Sequence, residues 1–351
     1  MMLKVAVLGV GGYGGSEVLR ILHQHPHVTI NHFGANTQAG VSISQSFGQF
    51  LGIFDNTMQK NDLLEIAEDN DCIVAATPHE FLAKILTSEV TNNVVVIDLS
   101  ADFRLKNPDK YQEYYHFVHP NPTLLQSAVY GLCELNKGHI YNANLIANPG
   151  CYPTCSTFCI LPLLQRDIIQ HSSIIIDAKS GVSGAGRNAK LENNFCEVYE
   201  NIKAYGLIKH RHIAEIEQNL YLFSQGLDDM SVTFTPHLVP MNRGILITAY
   251  ANLAERYNDI TQADIDSIYE EFCADKYFVR YLSGVAPQTR WVRGSNFVDI
   301  SACLDKRNKR VIMMGAIDNL VKGAAGSAIQ NLNIRFGFPE NTALESIALF
   351  P

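Results

Sequence analysis

The segment 148–154, which reads NPGCYPT, places a cysteine where a strand should end and a helix begin. The run 144–147, NLIA, is typical of a buried strand, and Pro153 has the fixed φ and missing N–H that suit a first helical turn. Cys151 is therefore predicted at or beside an N-cap, where unpaired N–H groups and the helix dipole favour a thiolate and can hold an acyl oxyanion. Cys151 is a candidate nucleophile; the alternative is a small buried hydrophobic residue.

A proton-transfer group for such a thiol is offered by the segment 210–216, which reads HRHIAEI. Histidine is the usual partner for activating a thiol and for moving a proton near neutral pH. His210 and His212 are candidates for this role, with the carboxylate of Glu215 nearby. The alternative is that either histidine is only a helix-start or surface residue.

Two arginines occupy positions where an anion could be bound. The segment 179–187, KSGVSGAGR, follows a predicted strand, and its glycines leave several N–H groups able to face an anion beside Arg187. Arg104 follows the strand 94–97, at the end of a strand where α/β sheets bind ligands. The alternatives are a mobile surface loop for 179–187, and an ion pair with Asp98 or Asp102 for Arg104.

The chain opens with a dinucleotide-binding pattern. The strand 3–8 is followed by Gly9, Gly11 and Gly14 in G-x-G-x-x-G spacing, by a helical segment 16–25, and by a second strand 28–33. The glycines permit the tight turn, the approach of a pyrophosphate and close packing of helix on strand. The alternative is a glycine-rich turn in an α/β domain that binds no nucleotide.

The end of the second strand indicates which dinucleotide binds. A carboxylate there would repel a 2′-phosphate, but the segment 34–38 reads GANTQ and offers Asn36 and Thr37 instead. This favours NADP(H), although no arginine or lysine lies between Arg20 and Lys60 to pair with the phosphate.

The remaining elements divide into two patterns. Strands 72–76 and 94–97, with a predicted helix 79–88 between them, continue the β-α-β repeat of a doubly wound sheet. After Cys151 the strand candidates are longer (173–178, 231–237, 245–251, 297–302 and 310–317), which predicts a mixed or antiparallel sheet in a second domain. A closing helix is predicted over 320–335.

Composition is that of an ordinary globular protein. Of 351 residues, 47% are hydrophobic and 18% charged, and no apolar run reaches the ~18 residues of a membrane span. The formal net charge of −8 argues against nucleic-acid binding. The start of the chain leads directly into a strand without a signal-peptide pattern, so a cytoplasmic location is expected.

The eight cysteines are expected to be thiols, as is usual in a reducing compartment. Cys151, Cys155 and Cys159 recur every four residues, but this spacing matches no ordinary zinc site. Cys155 and Cys159 are therefore interpreted as core residues and no metal site is predicted.

Several segments together carry a family resemblance that runs along nearly the whole chain. They are 9–15, 98–104, 128–136, 148–154, 180–187, 204–206, 210–212, 235–244 and 318–326. With these segments the chain resembles the N-acetyl-γ-glutamyl-phosphate reductases of arginine biosynthesis, which are relatives of aspartate-semialdehyde dehydrogenase.

The resemblance implies a Rossmann dinucleotide-binding domain over 1–148, completed by 319–351. It also implies an α+β catalytic and dimerisation domain of the glyceraldehyde-phosphate dehydrogenase type over 149–318. Cys151 would attack an acyl phosphate to form a thioester, which NADPH reduces to the aldehyde. His210 would be the acid/base, helped by His212 and Glu215, although the family usually has proline where Ala214 stands.

The resemblance also implies the binding residues and the assembly. Arg104, Asn148 and Arg187 would bind the substrate, and a homodimer or homotetramer is expected, with no nucleic-acid or membrane partner. The cofactor would be bound by Gly9, Gly11, Gly12, Tyr13, Gly14, Asn36, Thr37, Pro78, Ser180, Gly181 and Asn319.

Two alternatives to this function remain open from the sequence. One is the same reduction of an N-acetyl-aminoadipyl phosphate in lysine synthesis, because one methylene in a pocket is worth only ~1–3 kcal/mol. The other is a non-catalytic, NADPH-responsive binding protein.

Overall fold

The structure is a computed structural model that describes residues 2–224 and 230–351, and it divides into two compact units. The first comprises Met1–Pro149 with Ala324–Glu345, and the second comprises Gly150–Gly323 with Ser346–Pro351. The sequence prediction gave all of 319–351 to the first domain. Residues 319–323 and 346–351 group instead with the second unit, where Leu349 N donates to Arg293 O at 3.0 Å.

The first unit contains a parallel sheet of six strands in the order β2-β1-β3-β4-β6-β5. The strands are β1 (Leu3–Leu8), β2 (Val28–Gly34), β3 (Cys72–Ala75), β4 (Val95–Asp98), β5 (Val129–Tyr130) and β6 (Leu145–Ala147). The helices of this part of the chain are α1 (Tyr13–Leu22), α2 (Ile43–Ser46), α3 (Leu63–Asp69), α4 (Phe81–Ile85), α5 (Ser88–Asn93), α6 (Pro108–Tyr115), α7 (Pro122–Ser127) and α8 (Cys133–Ile140). The predicted doubly wound α/β fold is confirmed.

The central strands of this sheet are apolar throughout, because both faces are buried. Val5 to Leu8 in β1 and Cys72 to Ala75 in β3 are fully buried. Such continuous apolar runs are typical of parallel strands covered on both sides. Strands β1 and β3 are hydrogen-bonded neighbours, so their ends bring the glycine turn after β1 next to the turn after β3.

The predicted helix 79–88 is confirmed only in part, because α4 ends at Ile85 and a separate helix, α5, begins at Ser88. Glu80 adopts a left-handed φ of 67°, and the buried carboxylate of Asp102 accepts hydrogen bonds from Glu80 N at 2.7 Å and Ala83 N at 2.9 Å. A second start follows at Thr87, whose hydroxyl accepts from Val90 N. Two caps thus interrupt what the apolar pattern presents as one helix.

The second unit contains a mixed sheet of seven strands in the order β11-β12-β13-β10-β7-β9-β8. The strands are β7 (Ile175–Ser180), β8 (Lys203–Ala204), β9 (Thr233–Leu238), β10 (Ile245–Asn252), β11 (Val279–Tyr281), β12 (Val298–Asp305) and β13 (Arg310–Ile317). Its helices are α9 (Cys151–Leu164), α10 (Phe195–Val198), α11 (His212–Phe223) and α12 (Gln262–Cys273). The predicted mixed sheet is confirmed, with β8 and β11 added at its edges.

Helix α9 is the central helix of this unit and is buried from Tyr152 to Leu164. It packs against α11, α12 and the strands β10, β12 and β13. Because it is apolar on all sides, its position is fixed by packing over its whole length. This rigidity applies to its first residue, Cys151.

The closing helix begins later than predicted. A π-helical segment, Val321–Ala325, comes first, and the α-helix α13 covers Gly326–Arg335. Periodicity alone predicts one helix here, since a π-turn adds a single residue to the repeat. No helix among residues 2–224 and 230–351 is long and apolar enough to cross a membrane.

Candidate active site

Cys151 is the first residue of helix α9, as predicted, and it is partly exposed. The preceding Gly150 is the N-cap and adopts an extended conformation with φ −71° and ψ 153°. A thiol at this position lies beside the N–H groups of the first helical turn, which is where a thiolate is electrostatically favoured.

The start of this helix is bonded to the carboxylate of Glu215. Gly150 N donates to Glu215 Oε1 at 2.7 Å, and Glu215 is fully buried in the first turn of α11. A buried amide with such a partner is held in place, because losing the bond would leave the amide unsatisfied. Glu215 was predicted to assist the histidine; the structure places its carboxylate against the backbone that precedes Cys151.

His210 lies in an aromatic environment next to this helix start. Its ring centroid is 5.7 Å from that of Tyr152, 5.4 Å from Tyr205 and 5.3 Å from Phe234. Burial, and to a lesser extent the charge of Arg211, lowers the pKa of His210 from 6.5 to about 4. The imidazole is therefore neutral near pH 7.

The tautomer of His210 follows from a hydrogen bond between its ring and the backbone of His212. His212 N donates to His210 Nδ1 at 3.1 Å, so the neutral ring carries its proton on Nε2. Nε2–H is then a hydrogen-bond donor. The ring of His212 is 4.9 Å from that of His210 and 5.8 Å from that of Tyr152, so the two histidines and the residue after Cys151 form one cluster.

Two tyrosines in this cluster were not among the predicted site residues. The hydroxyl oxygens of Tyr152 and Tyr205 are 3.1 Å apart. Burial, with an added contribution from the charge of Cys151, raises the pKa of Tyr205 to about 12, and the pKa of Tyr152 is raised as well. Both hydroxyls thus stay protonated near pH 7. Tyr152 could have been noticed as the neighbour of Cys151 in the sequence.

The predicted cofactor residues of the second unit lie together at the ends of β7 and β10. Asn319 Oδ1 accepts from Gly244 N at 2.7 Å, and Asn319 Nδ2 donates to Ser183 Oγ at 3.0 Å. Gly181 N donates to Gly244 O, and Ser180 is buried at the end of β7. The amide of Asn319 thus joins two loops, and its predicted contact with the cofactor stays a prediction because Nδ2 has a second proton to donate.

Arg187 lies in an exposed part of the chain after the turn at Gly186, whose φ is 82°. Its placement is compatible with anion binding and equally with the surface-loop alternative. It therefore stays a prediction.

Arg104 and Asn148, both predicted to bind the substrate, lie together in the first unit and are bonded to each other. Arg104 is 5% exposed; its Nε donates to Asn148 O and its Nη2 to Leu99 O, both at 2.8 Å. Asn148 is fully buried, with Nδ2 bonded to Ala324 O and Oδ1 bonded to Asn331 Nδ2. Through these bonds the two side chains hold the backbone that leads into the cysteine motif, and their contact with substrate stays a prediction.

The glycine turn of the first unit fits a dinucleotide. Gly9 has a φ of 80°, and a Cβ there would overlap Ala76 O. A Cβ at Gly11 would overlap the side chain of Gln38, whereas Gly12 and Gly14 have only ordinary contacts at 3.5 Å. The close packing that the motif assigns to Gly14 falls on Gly15, where a Cβ would overlap Gly9 O. The turn leaves the start of α1 without a side-chain cap, which is the arrangement that binds a pyrophosphate.

The other predicted cofactor residues of this unit surround the same end of the sheet. Tyr13 is the first residue of α1 and is 37% exposed. Asn36 and Thr37 are exposed after β2, and Asn36 Oδ1 accepts from Asn61 N at 2.9 Å. Pro78 is exposed after β3. No carboxylate stands in the turn after β2, so the residues present are compatible with a 2′-phosphate.

The prediction for the other cysteines of α9 is confirmed. Cys155 and Cys159 are fully buried, and burial raises the pKa of Cys155 well above its usual value. The residues that the structure describes contain no cluster of three or more His, Cys, Asp or Glu able to hold a metal ion.

Comparison with known proteins decides the family. The chain is 49% identical over 351 residues to N-acetyl-gamma-glutamyl-phosphate reductase of Lachnoclostridium phytofermentans, with 100% of both chains covered. It is 51% identical to the Campylobacter jejuni protein of the same name (strain 81116), with 99% of both chains covered. The chain belongs to the N-acetyl-gamma-glutamyl-phosphate reductase family. The resemblance drawn from the sequence is thereby confirmed.

Two family models match this chain, and the ranges that they match correspond approximately to the two structural units. A semialdehyde dehydrogenase NAD binding domain matches residues 4–143, and a semialdehyde dehydrogenase dimerisation domain matches residues 151–319.

Solved structures support the fold of this reductase family member. Aspartate semialdehyde dehydrogenase II from Vibrio cholerae gives a TM-score of 0.71 at 17% identity, covering 96% of this chain and 99% of that one. The Candida albicans enzyme, solved with NADP, gives a TM-score of 0.69 at 17% identity, covering 95% and 98%. The predicted fold class is confirmed.

Proposed function

We propose that this chain reduces N-acetyl-γ-glutamyl phosphate to N-acetyl-glutamate 5-semialdehyde and phosphate with NADPH, in arginine biosynthesis, through a thioester on Cys151. The observation that carries this proposal is the placement of Cys151 at the first position of a buried helix whose start is bonded to Glu215. The family membership supplies the substrate class, because the relatives are named for this acyl phosphate.

The first half of the reaction is attack by the Cys151 thiolate on the acyl carbon. The N–H groups at the start of α9 stabilise the thiolate before attack and the oxyanion after it. The S–C bond forms and the C–O bond to phosphate breaks, so inorganic phosphate leaves with the bonding electron pair. Water at the exposed side of the site takes up the thiol proton and protonates the phosphate.

The second half converts the thioester into the aldehyde. Bound NADPH supplies the hydride for this reduction. His210 Nε2–H donates a hydrogen bond to the oxygen that becomes negatively charged, which fits a neutral imidazole whose Nδ1 already accepts from His212 N. The C–S bond then breaks as the carbonyl re-forms, and the sulfur leaves as the thiolate that the helix start favours.

The residues proposed to hold NADP(H) are those of the glycine turn, with Asn36 and Thr37 toward the 2′-phosphate. The support is the steric evidence at Gly9 and Gly11 and the neutral residues after β2. Tyr13 and Pro78 are proposed at the edges of this site. Ser180 and Gly181 stay proposals for the nicotinamide end.

Of the two candidate substrates, we propose the glutamyl phosphate and not the aminoadipyl phosphate. The names of the relatives favour the shorter acyl chain, and the chemistry at Cys151 is the same for both. The binding-protein alternative is disfavoured, because both the thiol and the histidine occupy positions suited to catalysis.

A homodimer is proposed through the exposed face of the seven-stranded sheet. Alternate residues of β10 are buried, while those between them are half-buried. Ile312 and Met314, which pair with Tyr250 and Thr248, are half-buried in β13. The half-buried patch includes Leu246, Thr248, Tyr250, Ile312 and Met314. Apolar residues on an incompletely covered sheet face are typical of an interface, and the dimerisation-domain match covers this sheet. Sedimentation of the wild type should give a dimer, and Tyr250→Glu should give a smaller species.

The cytoplasm is the proposed compartment, and the acyl phosphate and NADP(H) are the proposed partners besides a second copy. All eight cysteines are free thiols, which is usual for proteins of a reducing compartment.

The test of the proposed function is phosphate-dependent reduction of NADP⁺, followed at 340 nm, with N-acetyl-glutamate semialdehyde. The aminoadipate homologue and NAD⁺ serve as controls. The proposal requires a clear preference for the glutamate aldehyde with NADP⁺. Preference for the longer aldehyde would move the chain to lysine synthesis, and no activity with either would favour the binding-protein alternative.

A further inference from the structure

Gly323 lies directly against the proposed nucleophile. A Cβ built on Gly323 would be 2.7 Å from Cys151 Cβ and 3.2 Å from Cys151 Cα. Real Cβ atoms essentially never approach another heavy atom closer than 3.0 Å, so any side chain at 323 requires one of the two residues to move.

The atoms in contact make this approach significant. The Cα and Cβ of Cys151 have positions set by the backbone at the start of α9, not by a side-chain rotamer. That backbone is itself held by the bond from Gly150 N to Glu215 and by the packing of α9. Relief of a clash at 323 therefore has to displace the thiol together with the first helical turn, or displace the segment that carries Gly323.

The segment that carries Gly323 is held by Asp318, which is fully buried. Asp318 Oδ1 accepts from Leu320 N at 2.8 Å and from Val321 N at 3.1 Å, and Asp318 Oδ2 accepts from Gly294 N at 2.7 Å. Gly323 N donates to Asp318 O at 3.0 Å, a bond from residue i to i−5 that belongs to the π-helical turn. A π-helical turn contains one residue more than an α-helical turn, which changes the residue that faces Cys151; here that residue is Gly323.

We propose that Gly323 is a positioning residue for catalysis, with Asp318 as its anchor. It acts through Cys151, because the absence of a side chain at 323 lets the first turn of α9 occupy the place from which the thiolate attacks. This inference rests on the proposed role of Cys151 as nucleophile. Displacement of a reacting atom by about 1 Å can cost on the order of 10²-fold in rate.

The test is Gly323→Ala, whose φ is outside the left-handed region, so that alanine adds a contact without backbone strain. The variant should lower kcat by about 10²-fold with KM changed less than about threefold. Labelling of Cys151 by iodoacetamide, quantified by peptide mass spectrometry, should fall at least about tenfold relative to Cys196, an exposed thiol in the same molecule. Gly138→Ala is the matched control, because Gly138 is in helix α8 and a Cβ there meets nothing within 4 Å.

The controls separate this inference from the proposed function and from a general loss of fold. If Gly323→Ala keeps normal kcat and normal Cys151 labelling while Cys151→Ser is inactive, the positioning role is wrong and the nucleophile stands. If Cys151→Ser keeps normal turnover, the proposed function itself fails. Should Gly323→Ala not fold, Asp318→Asn loosens the anchor without adding a side chain at 323. It must reproduce the selective loss of Cys151 labelling with NADP⁺ binding retained, and equal loss at Cys151 and Cys196 would contradict the role.

Discussion

Two strand-to-helix turns in this chain use the same helix-dipole property in opposite ways. The turn from β1 to α1 is lined by glycines, and its N-cap, Gly12, carries no side-chain cap. The turn into α9 also has a glycine N-cap, but Gly150 N is bonded to the buried carboxylate of Glu215. The first turn has no side-chain cap and is proposed to bind an external anion, whereas the second uses the carboxyl group of Glu215 to hold a reactive thiol in place.

A glycine at a helix start does not by itself indicate an anion site, because both helices have a glycine N-cap. In the first turn, Gly9 is required by its contact with Ala76 O and its left-handed φ, and Gly15 by its contact with Gly9 O. Around Cys151 the requirement comes from outside the motif, from Glu215 on α11 and from Gly323 in the π-helical segment. Each turn can therefore be disrupted separately.

The largest effect is expected for Cys151→Ser. A neutral hydroxyl at this helix start is a poor nucleophile, so reduction should fall by several orders of magnitude. NADPH titration followed by nucleotide fluorescence should give an unchanged affinity, because the glycine turn is intact. Loss of NADPH affinity together with activity would mean that the two turns are not independent.

His210→Ala should lower kcat by about 10²- to 10⁴-fold, the scale for removing an acid/base group or an oxyanion donor. His212→Ala should have a smaller effect, since its backbone N–H, which fixes the tautomer of His210, is kept. Steady-state kinetics of both variants at one pH decide the assignment. A larger loss in His212→Ala would exchange the roles of the two histidines.

Gly9→Ala tests the first turn in isolation. The added Cβ overlaps Ala76 O at a left-handed φ, so the affinity for NADPH should fall at least about tenfold. Gly12→Ala, whose nearest contact is 3.5 Å away, should stay within a few fold of the wild type. Equal losses in both variants would argue that contact distance does not govern binding at this turn.

Glu215→Ala tests the second turn through stability. Removing the carboxylate leaves the buried Gly150 N–H without this acceptor, which costs about 1–3 kcal/mol. Urea unfolding should show this loss in Glu215→Ala, and Glu215→Gln should recover part of it because an acceptor oxygen remains. Wild-type stability in Glu215→Ala would show that the bond does not hold the helix start.

The smallest effect expected is a pH dependence with opposite signs in the two units. Burial lowers the pKa of His210 to about 4. The stability that depends on a neutral His210 is therefore fully present above pH 6.5, and the free energy of unfolding falls as the pH drops toward 4. Burial and the neighbouring Asp102 raise the pKa of Asp98. The stability that depends on a protonated Asp98 is therefore lost as the pH rises above the usual pKa range of an aspartate. Unfolding free energies between pH 4 and 7 should therefore rise less steeply with pH in His210→Asn and more steeply in Asp98→Asn. Unchanged slopes would contradict these shifts.

Much of the fold could be predicted because its signals are local. The strands Leu3–Leu8 and Arg310–Ile317 have the bounds that their apolar patterns predict. The position of Cys151 at a helix start followed from the strand and proline around it. The interrupted helix at 79–88 could not be predicted, because its cap comes from Asp102, which is distant in the sequence.

Part of the site could not be predicted for the same physical reason. Arg104, Asn148 and Asn319 carry the polar groups that a ligand would need, but each donates or accepts within its own unit. Residue type and motif position do not show which polar atoms are already bonded. The close packing of Gly15 and Gly323 was likewise invisible, since it depends on which backbone passes near each glycine.

The most direct test of the account is to stop the reaction at the thioester. The wild-type enzyme is mixed with N-acetyl-γ-glutamyl phosphate in the absence of NADPH, quenched in acid and digested for peptide mass spectrometry. If the reaction proceeds through a thioester on Cys151, the peptide that contains Cys151 carries an acyl group. This acyl group is lost when NADPH is added before the quench. An unmodified Cys151 under conditions that support full turnover, or acylation of another residue instead, would contradict it.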